Sequence, residues 1–218
     1  MSAGRPAGTS LPRGQPPIVF LGPSLSVREA RGILPAADYR PPLRRGDLDA
    51  IDRPASVLVI DGLLAPDQRL PVSEARAALR RGLELHGASS TGALLALELA
   101  DHGMRGSGRV FEFLRDFPGQ RENLVALLHA GPQSRPLTVP LINVVLGHGD
   151  EHPGREALDA LAGCLAGIPL HERSWETIET VMREAGFPIP PSIRFADAKR
   201  EDARALLAGI RESRQPPP

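Results

Sequence analysis

Residues 83–100 read LELHGASSTGALLALELA. Leu83–Gly87 (LELHG) closes on glycine and reads as a strand, the third of the chain. Thr91–Ala100 is apolar on nearly every face, which predicts a buried helix. The two are joined by Gly87-Ala88-Ser89-Ser90-Thr91-Gly92-Ala93. Two similar runs precede this one: Ile18–Gly22 (IVFLG), followed by Pro23, and Ser56–Asp61 (SVLVID), followed by Gly62. Ser24 is placed to cap a helix over Val27–Leu34, and Ser73–Arg81 has helical spacing with Glu74 in its first turn. Strand and helix therefore alternate three times between residues 18 and 100, which predicts parallel pairing through crossover helices. Strands that are continuously apolar, rather than alternating, predict the same. The expected fold class is α/β: a small parallel sheet with flanking helices in the N-terminal half, then a mainly helical C-terminal half.

Beyond Gly103 the spacing turns helical, with helices expected over Glu122–His129, Arg155–Leu165, Ser174–Glu184 and Asp197–Ile210. The expected organisation is a disordered tail over 1–17, an α/β core over 18–120 and a helical region over 121–214 packed on that core. The tail assignment rests on its composition, which has no acid, few apolar groups and many Gly and Pro. Gln215 to Pro218 reads as a frayed end, and no internal repeat is visible.

Composition narrows the function classes. The chain has 218 residues and 23.3 kDa, enough to bury a core without staples. Lys+Arg and Asp+Glu are both 26, so no nucleic-acid-binding surface is expected. One cysteine, Cys164, excludes an internal disulfide and a multi-cysteine metal or cluster site, and fits a cytoplasmic location. Cys164 reads as a small buried apolar residue on its helix. Apolar stretches stay far below the ~20 residues of a membrane-spanning helix, and no secretory signal is visible. Lys199 is the only lysine.

In parallel sheets ligands gather at the carboxyl ends of the strands. Here those ends carry Gly22-Pro23-Ser24, Asp61-Gly62 and Gly87 through Gly92, which makes their convergence the expected binding region. A serine where a strand meets a helix lies beside free N–H groups and the positive end of the helix dipole. Those groups suit an oxyanion or a bound carboxylate. Ala88-x-Ser90-x-Gly92 is one substitution from the nucleophile elbow. The competing reading is that Ser89 or Ser90 caps the helix. A nucleophilic serine needs a base. His86 precedes the turn, His102 lies roughly 15 Å along the helix, and His129 falls in the helical half. Lys199 serves if desolvation lowers its proton affinity. His148-Gly149-Asp150-Glu151-His152 lacks the zinc-helix spacing and reads as a loop, and no cofactor is expected. Arg44, Arg45 and Asp47 form a charged cluster, and Glu98, the acid on an apolar helix, calls for an arginine partner.

Taken in order, these segments resemble the TfuA-like proteins. The resemblance is carried by Gly22-Pro23-Ser24-Leu25, Pro41-Pro42 with Arg45-Gly46-Asp47, Ile60-Asp61-Gly62, Gly87–Leu94, Glu98-Leu99 and Gly103-Met104-x-Gly106-x-Gly108. It continues through Val125-Ala-Leu-Leu-His129, Arg135-Pro136-Leu137 and Lys199-Arg200-x-Asp202-Ala203, covering roughly residues 18–210. The family usually has Gly-Ala-Ala-Ser-Met-Gly-Ala, so Ser89 and Thr91 are departures, as is Ser73 before Glu74. The family segment is similar to the nucleophile segment of Clp protease subunits, which puts that role on Ser90.

The resemblance implies partnership with a YcaO-family protein that activates peptide backbone amides with ATP for thioamidation. The sulfur source it implies is a small ubiquitin-like carrier ending in a thiocarboxylate, and the precursor peptide is a further partner. The implied site comprises Ser90, with His86 or Lys199 as base, and Gly22, Pro23, Ser24, Arg45, Asp61, Gly62, Gly87, Ala88, Ser89, Thr91 and Gly92 around the substrate. Three readings stand at this point: a thiocarboxylate hydrolase, a non-catalytic module that recruits or assists the YcaO protein, and a general serine hydrolase.

Overall fold

The computed structural model describes residues 15–131, 136–148 and 154–215. Most of the expected tail, the Gly149–His152 part of the histidine motif, Arg135 and Pro216–Pro218 lie outside the described residues. Five parallel strands form the sheet: β1 (Ile18–Phe20), β2 (Asp38–Arg40), β3 (Ser56–Val59), β4 (Glu84–Gly87) and β5 (Arg105–Gly106). Their order is β2-β1-β3-β4-β5. Helix α1 (Val27–Ile33) connects β1 to β2, α2 (Val72–Arg80) connects β3 to β4, and α3 (Thr91–Glu98) leads from β4 toward β5. The chain leaves β1 toward one edge and later fills the other from β3, so the loops after β1 and β3 diverge. The crevice between them is the place where such sheets take ligands.

Alternate residues of each strand face opposite layers. Ile18, Phe20, Val57, Val59 and Leu85 pack against Ala75 and Ala78 of α2 and Leu95, Ala96 and Leu99 of α3. Val19, Leu21, Leu58 and Ile60 pack on the other side, against Ala30 of α1 and Ala203, Leu206 and Leu207 of α9 (Ala198–Arg214). The last helix of the chain thus completes a layer of the first sheet. Helices α4 (Arg109–Asp116), α5 (Arg121–Val125), α6 (Leu141–His148), α7 (Arg155–Leu165) and α8 (Trp175–Glu184) surround a second core with Leu114, Val145, Leu161 and Ile178 at its centre.

Two polar clamps fasten α9. The Asp202 carboxylate accepts the Arg109 and Val110 amides at the start of α4, at 2.9 and 2.8 Å. Glu29 of α1 accepts Arg200 at 3.0 Å and also pairs with Arg204.

The sheet and the helical second half agree with the reading of the sequence. The details differ where tertiary contacts decide. Edge strands β2 and β5 have only half-buried or exposed residues and no apolar run to reveal them. The α1 cap is Ser26, whose Oγ accepts the Glu29 amide at 3.2 Å; Ser24 is turned to Asp61 instead. The expected helix to His129 stops at Val125, because Arg173 takes the Asn123 and Ala126 carbonyls. Cys164 is only half-buried. Glu98 has its arginine partner, Arg69, at 2.9 Å.

Gly92 lies so close to β3 that a Cβ there would fall 1.8 Å from the Val59 carbonyl oxygen, and one at Gly87 would fall 2.0 Å from that of Gly92. Gly92→Ala is therefore expected to lose ~2 kcal/mol or more in urea unfolding, since backbone cannot yield as a side chain does. Gly163→Ala, exposed in the last turn of α7 with nothing near its Cβ position, is expected to gain up to ~0.5–1 kcal/mol. Equal stabilities for the two variants would contradict this packing.

Candidate active site

Asp61 follows β3 and is 3% exposed. A buried carboxylate needs donors. It receives the Gly22 amide at 2.8 Å, the Ser24 amide at 3.1 Å and the Ser24 hydroxyl at 2.7 Å. The turn after β1 is thereby tied to the end of β3, and the crevice at the switch point acquires a fixed floor. Gly22 and Ser24 spend their donors on Asp61; Pro23 between them faces the cleft.

The turn from β4 into α3 is strained. Ser89 has φ 72°, alone among the described non-glycine residues in the left-handed region. The Ser90 amide donates across it to the Ala88 carbonyl at 3.0 Å, a γ-turn of the costly variety. Ser89 is fully buried and its hydroxyl has no partner. Ser90 takes the N-cap position of α3, yet its side chain makes no capping bond. Its hydroxyl lines the cleft instead.

Two backbone amides near that hydroxyl are uncommitted. The Gly92 and Ala93 amides donate to Ile60 and Ser90 carbonyls, whereas the Thr91 and Gly62 amides have no acceptor among the described residues. Both residues line the cleft, and the Thr91 hydroxyl bonds the Gly62 carbonyl at 3.0 Å. A free N–H just after a nucleophile is the position of an oxyanion donor.

Lys199 enters from the first turn of α9. Its amide bonds Asn143 Oδ1 at 3.1 Å, and its Nζ donates to the Val125 carbonyl at 3.0 Å. The residue is 2% exposed. Burial holds its ammonium below the usual lysine range, against the opposing pull of Asp61 and Asp197. The amine lines the same cleft as Ser90, Thr91, Asp61, Gly62 and Pro23. The cleft encloses about 400 Å3, counting its open mouth.

Other expected site residues lie elsewhere. His86 is on β4, 9% exposed and outside the cleft lining. Burial, and secondarily Arg105, pushes its pKa down to about 4, so it is a neutral imidazole near pH 7. Arg45 is exposed on a loop whose shape is set by Glu74 accepting the Gly46 and Leu48 amides. Gly87, Ala88, Ser89 and Gly92 support the turn from behind. The cleft also takes His129 and the Val125–Leu127 segment, which the sequence reading left out of the site. His129 Nδ1 is 2.7 Å from the Gly131 carbonyl. The available signal was the Val125–His129 stretch among the motifs that carry the family resemblance.

Residues 61–158 match the family model described as TfuA-like protein. The matched stretch begins at Asp61 and contains the Ser90 turn and the Val125–His129 wall, but neither Gly22–Ser24 nor Lys199. No curated protein matches the chain significantly. Among the described residues no helix is long and apolar enough to cross a membrane. The family suggests a role associated with YcaO-dependent thioamidation. The ordered motifs and the family match agree over residues 61–158, and that stretch of the chain is similar to the TfuA-like proteins.

Proposed function

We propose that the protein serves YcaO-dependent backbone thioamidation by releasing sulfide from the C-terminal thiocarboxylate of a small sulfur-carrier protein. The observation that carries this reading is the meeting of an uncapped serine hydroxyl, a desolvated lysine amine and two free backbone amides in one cleft. The carrier tail enters the mouth, and its carbonyl oxygen lies against the Thr91 and Gly62 N–H groups. Neutral Lys199 takes the Ser90 proton as Oγ bonds to the thioacyl carbon. The tetrahedral adduct collapses with cleavage of the C–S bond, the Lys199 proton passes to sulfur, and hydrosulfide leaves. Water then hydrolyses the Ser90 ester, with Lys199 again as base, and returns a carboxylate. The atoms and charges balance as thiocarboxylate plus water giving carboxylate, hydrosulfide and one proton released to solvent.

One observation favours the second reading, a module that holds the tail without cleaving it: the Lys199 amine bonds the Val125 carbonyl and makes no hydrogen bond to Ser90. Sulfide release measured without the YcaO protein separates the two. Ser90→Ala is expected to lower release from thiocarboxylated carrier about a hundredfold or more, with carrier affinity kept. Release at the wild-type rate would overturn the nucleophilic role of Ser90.

The proton affinity of Lys199 sets the pH dependence. Its folded pKa is depressed, so the neutral base appears on raising pH at values below the ordinary lysine range. The rate of release is expected to rise along such a limb. Lys199→Met is expected to lose ~10²–10⁴ in rate together with that limb. Retention of the same limb in the variant would assign it to another group.

A further inference from the structure

Arg173 is 3% exposed, a buried arginine just ahead of α8. Its Nε donates to the Ile168 carbonyl at 3.1 Å, and its Nη1 to the Asn123 and Ala126 carbonyls at 2.6 and 3.3 Å. Among the described residues its Nη2 reaches no acceptor and no carboxylate pairs with it. Burial holds its pKa below the usual arginine value. A buried cation without a counter-charge is costly and favours an anion brought from outside.

The guanidinium lines an open groove distinct from the Ser90 cleft, about 960 Å3 counting its mouth. The rim is apolar and exposed. Phe195 is 87% and Leu137 67% accessible, and Trp175 lies beneath the Arg194 guanidinium at 5.8 Å. Exposed large apolar side chains beside an arginine and a tryptophan are the composition of a protein-binding hot spot. The other charges there are committed: Arg194 to Glu179, and Asp197 to the Arg200 amide and Asn143. Arg173 is the charge left over.

We propose that this groove docks an extended segment of a partner protein whose carboxylate side chain pairs with Arg173 and whose flanking apolar side chains cover Leu137 and Phe195. The site is independent of the chemistry at Ser90, but the two share a wall. The carbonyls held by Arg173 belong to the Asn123–Ala126 stretch, and the Val125 carbonyl within it holds the Lys199 amine.

Trp175 is the only tryptophan, so its fluorescence reports on this groove. Titration of the full chain with acetyl-Ala-Leu-Asp-Leu-Ala-amide is expected to give a saturable change. The same peptide with Asn for Asp is expected to bind at least tenfold more weakly, and acetate is expected to give no saturation in the same range. Substituting Arg173 removes three bonds to the protein's own backbone and risks the fold, so the informative variant is Phe195→Ser, at an exposed side chain. It is expected to weaken the peptide several-fold with an unchanged circular dichroism spectrum. The proposal is overturned by no saturable change, by equal binding of the Asn peptide or of acetate, or by full affinity in Phe195→Ser.

Discussion

The helix that carries Ser90 begins in direct contact with the sheet because neither Gly87 nor Gly92 has a side chain. That contact leaves the connecting residues no room for an ordinary turn. The chain answers with a left-handed Ser89 and a γ-turn, which costs of order 1–3 kcal/mol. The buried, unpartnered Ser89 hydroxyl adds to the cost. Packing of α3 on both sides of the contact over-determines the geometry. What results is a hydroxyl set at a helix N-terminus without capping it, with the next amide free.

The rest of the site comes from far away in sequence. Asp61 binds the β1 turn to the end of β3, so the crevice floor is rigid before any ligand arrives. Lys199 reaches the crevice because α9 returns to the sheet, held there by apolar contacts and by the Asp202 and Glu29 clamps. Its amine rests on a carbonyl of the segment that Arg173 stops from continuing as helix. The cleft therefore lies on the seam between the sheet and the helical half. Neither half forms it alone.

Much of this was legible in the residues, for identifiable reasons. Strands β1 and β3 are buried on both faces and almost wholly apolar, and β4 ends in glycine, so their ends, with Asp61, Gly62 and the Ser90 turn, could be located directly. Lys199 was conspicuous as the only lysine. What periodicity cannot carry is which layer a helix joins, and so nothing in the α9 pattern announced that Lys199 lines the same cleft as Ser90. The early end of α5 was hidden for the same reason, since its cause lies about fifty residues away in Arg173. Helix α6 is buried along its whole length, and a uniformly apolar run does not declare its type. His86 entered the expected site because it precedes the Ser90 turn, and Arg45 because its motif carries the family resemblance, while strand pleat and loop position put them elsewhere.

The central claim is that a lysine of lowered proton affinity shares a cleft with Ser90 and meets the incoming thiocarboxylate there. Because the chain has one lysine, 15N-lysine labelling gives one side-chain ammonium resonance, and its pH titration with and without a peptide thiocarboxylate reads the claim directly. The account predicts a midpoint below the ordinary lysine value of about 10.4 and a displaced resonance when the thiocarboxylate binds. An ordinary midpoint, indifferent to the ligand, would contradict it.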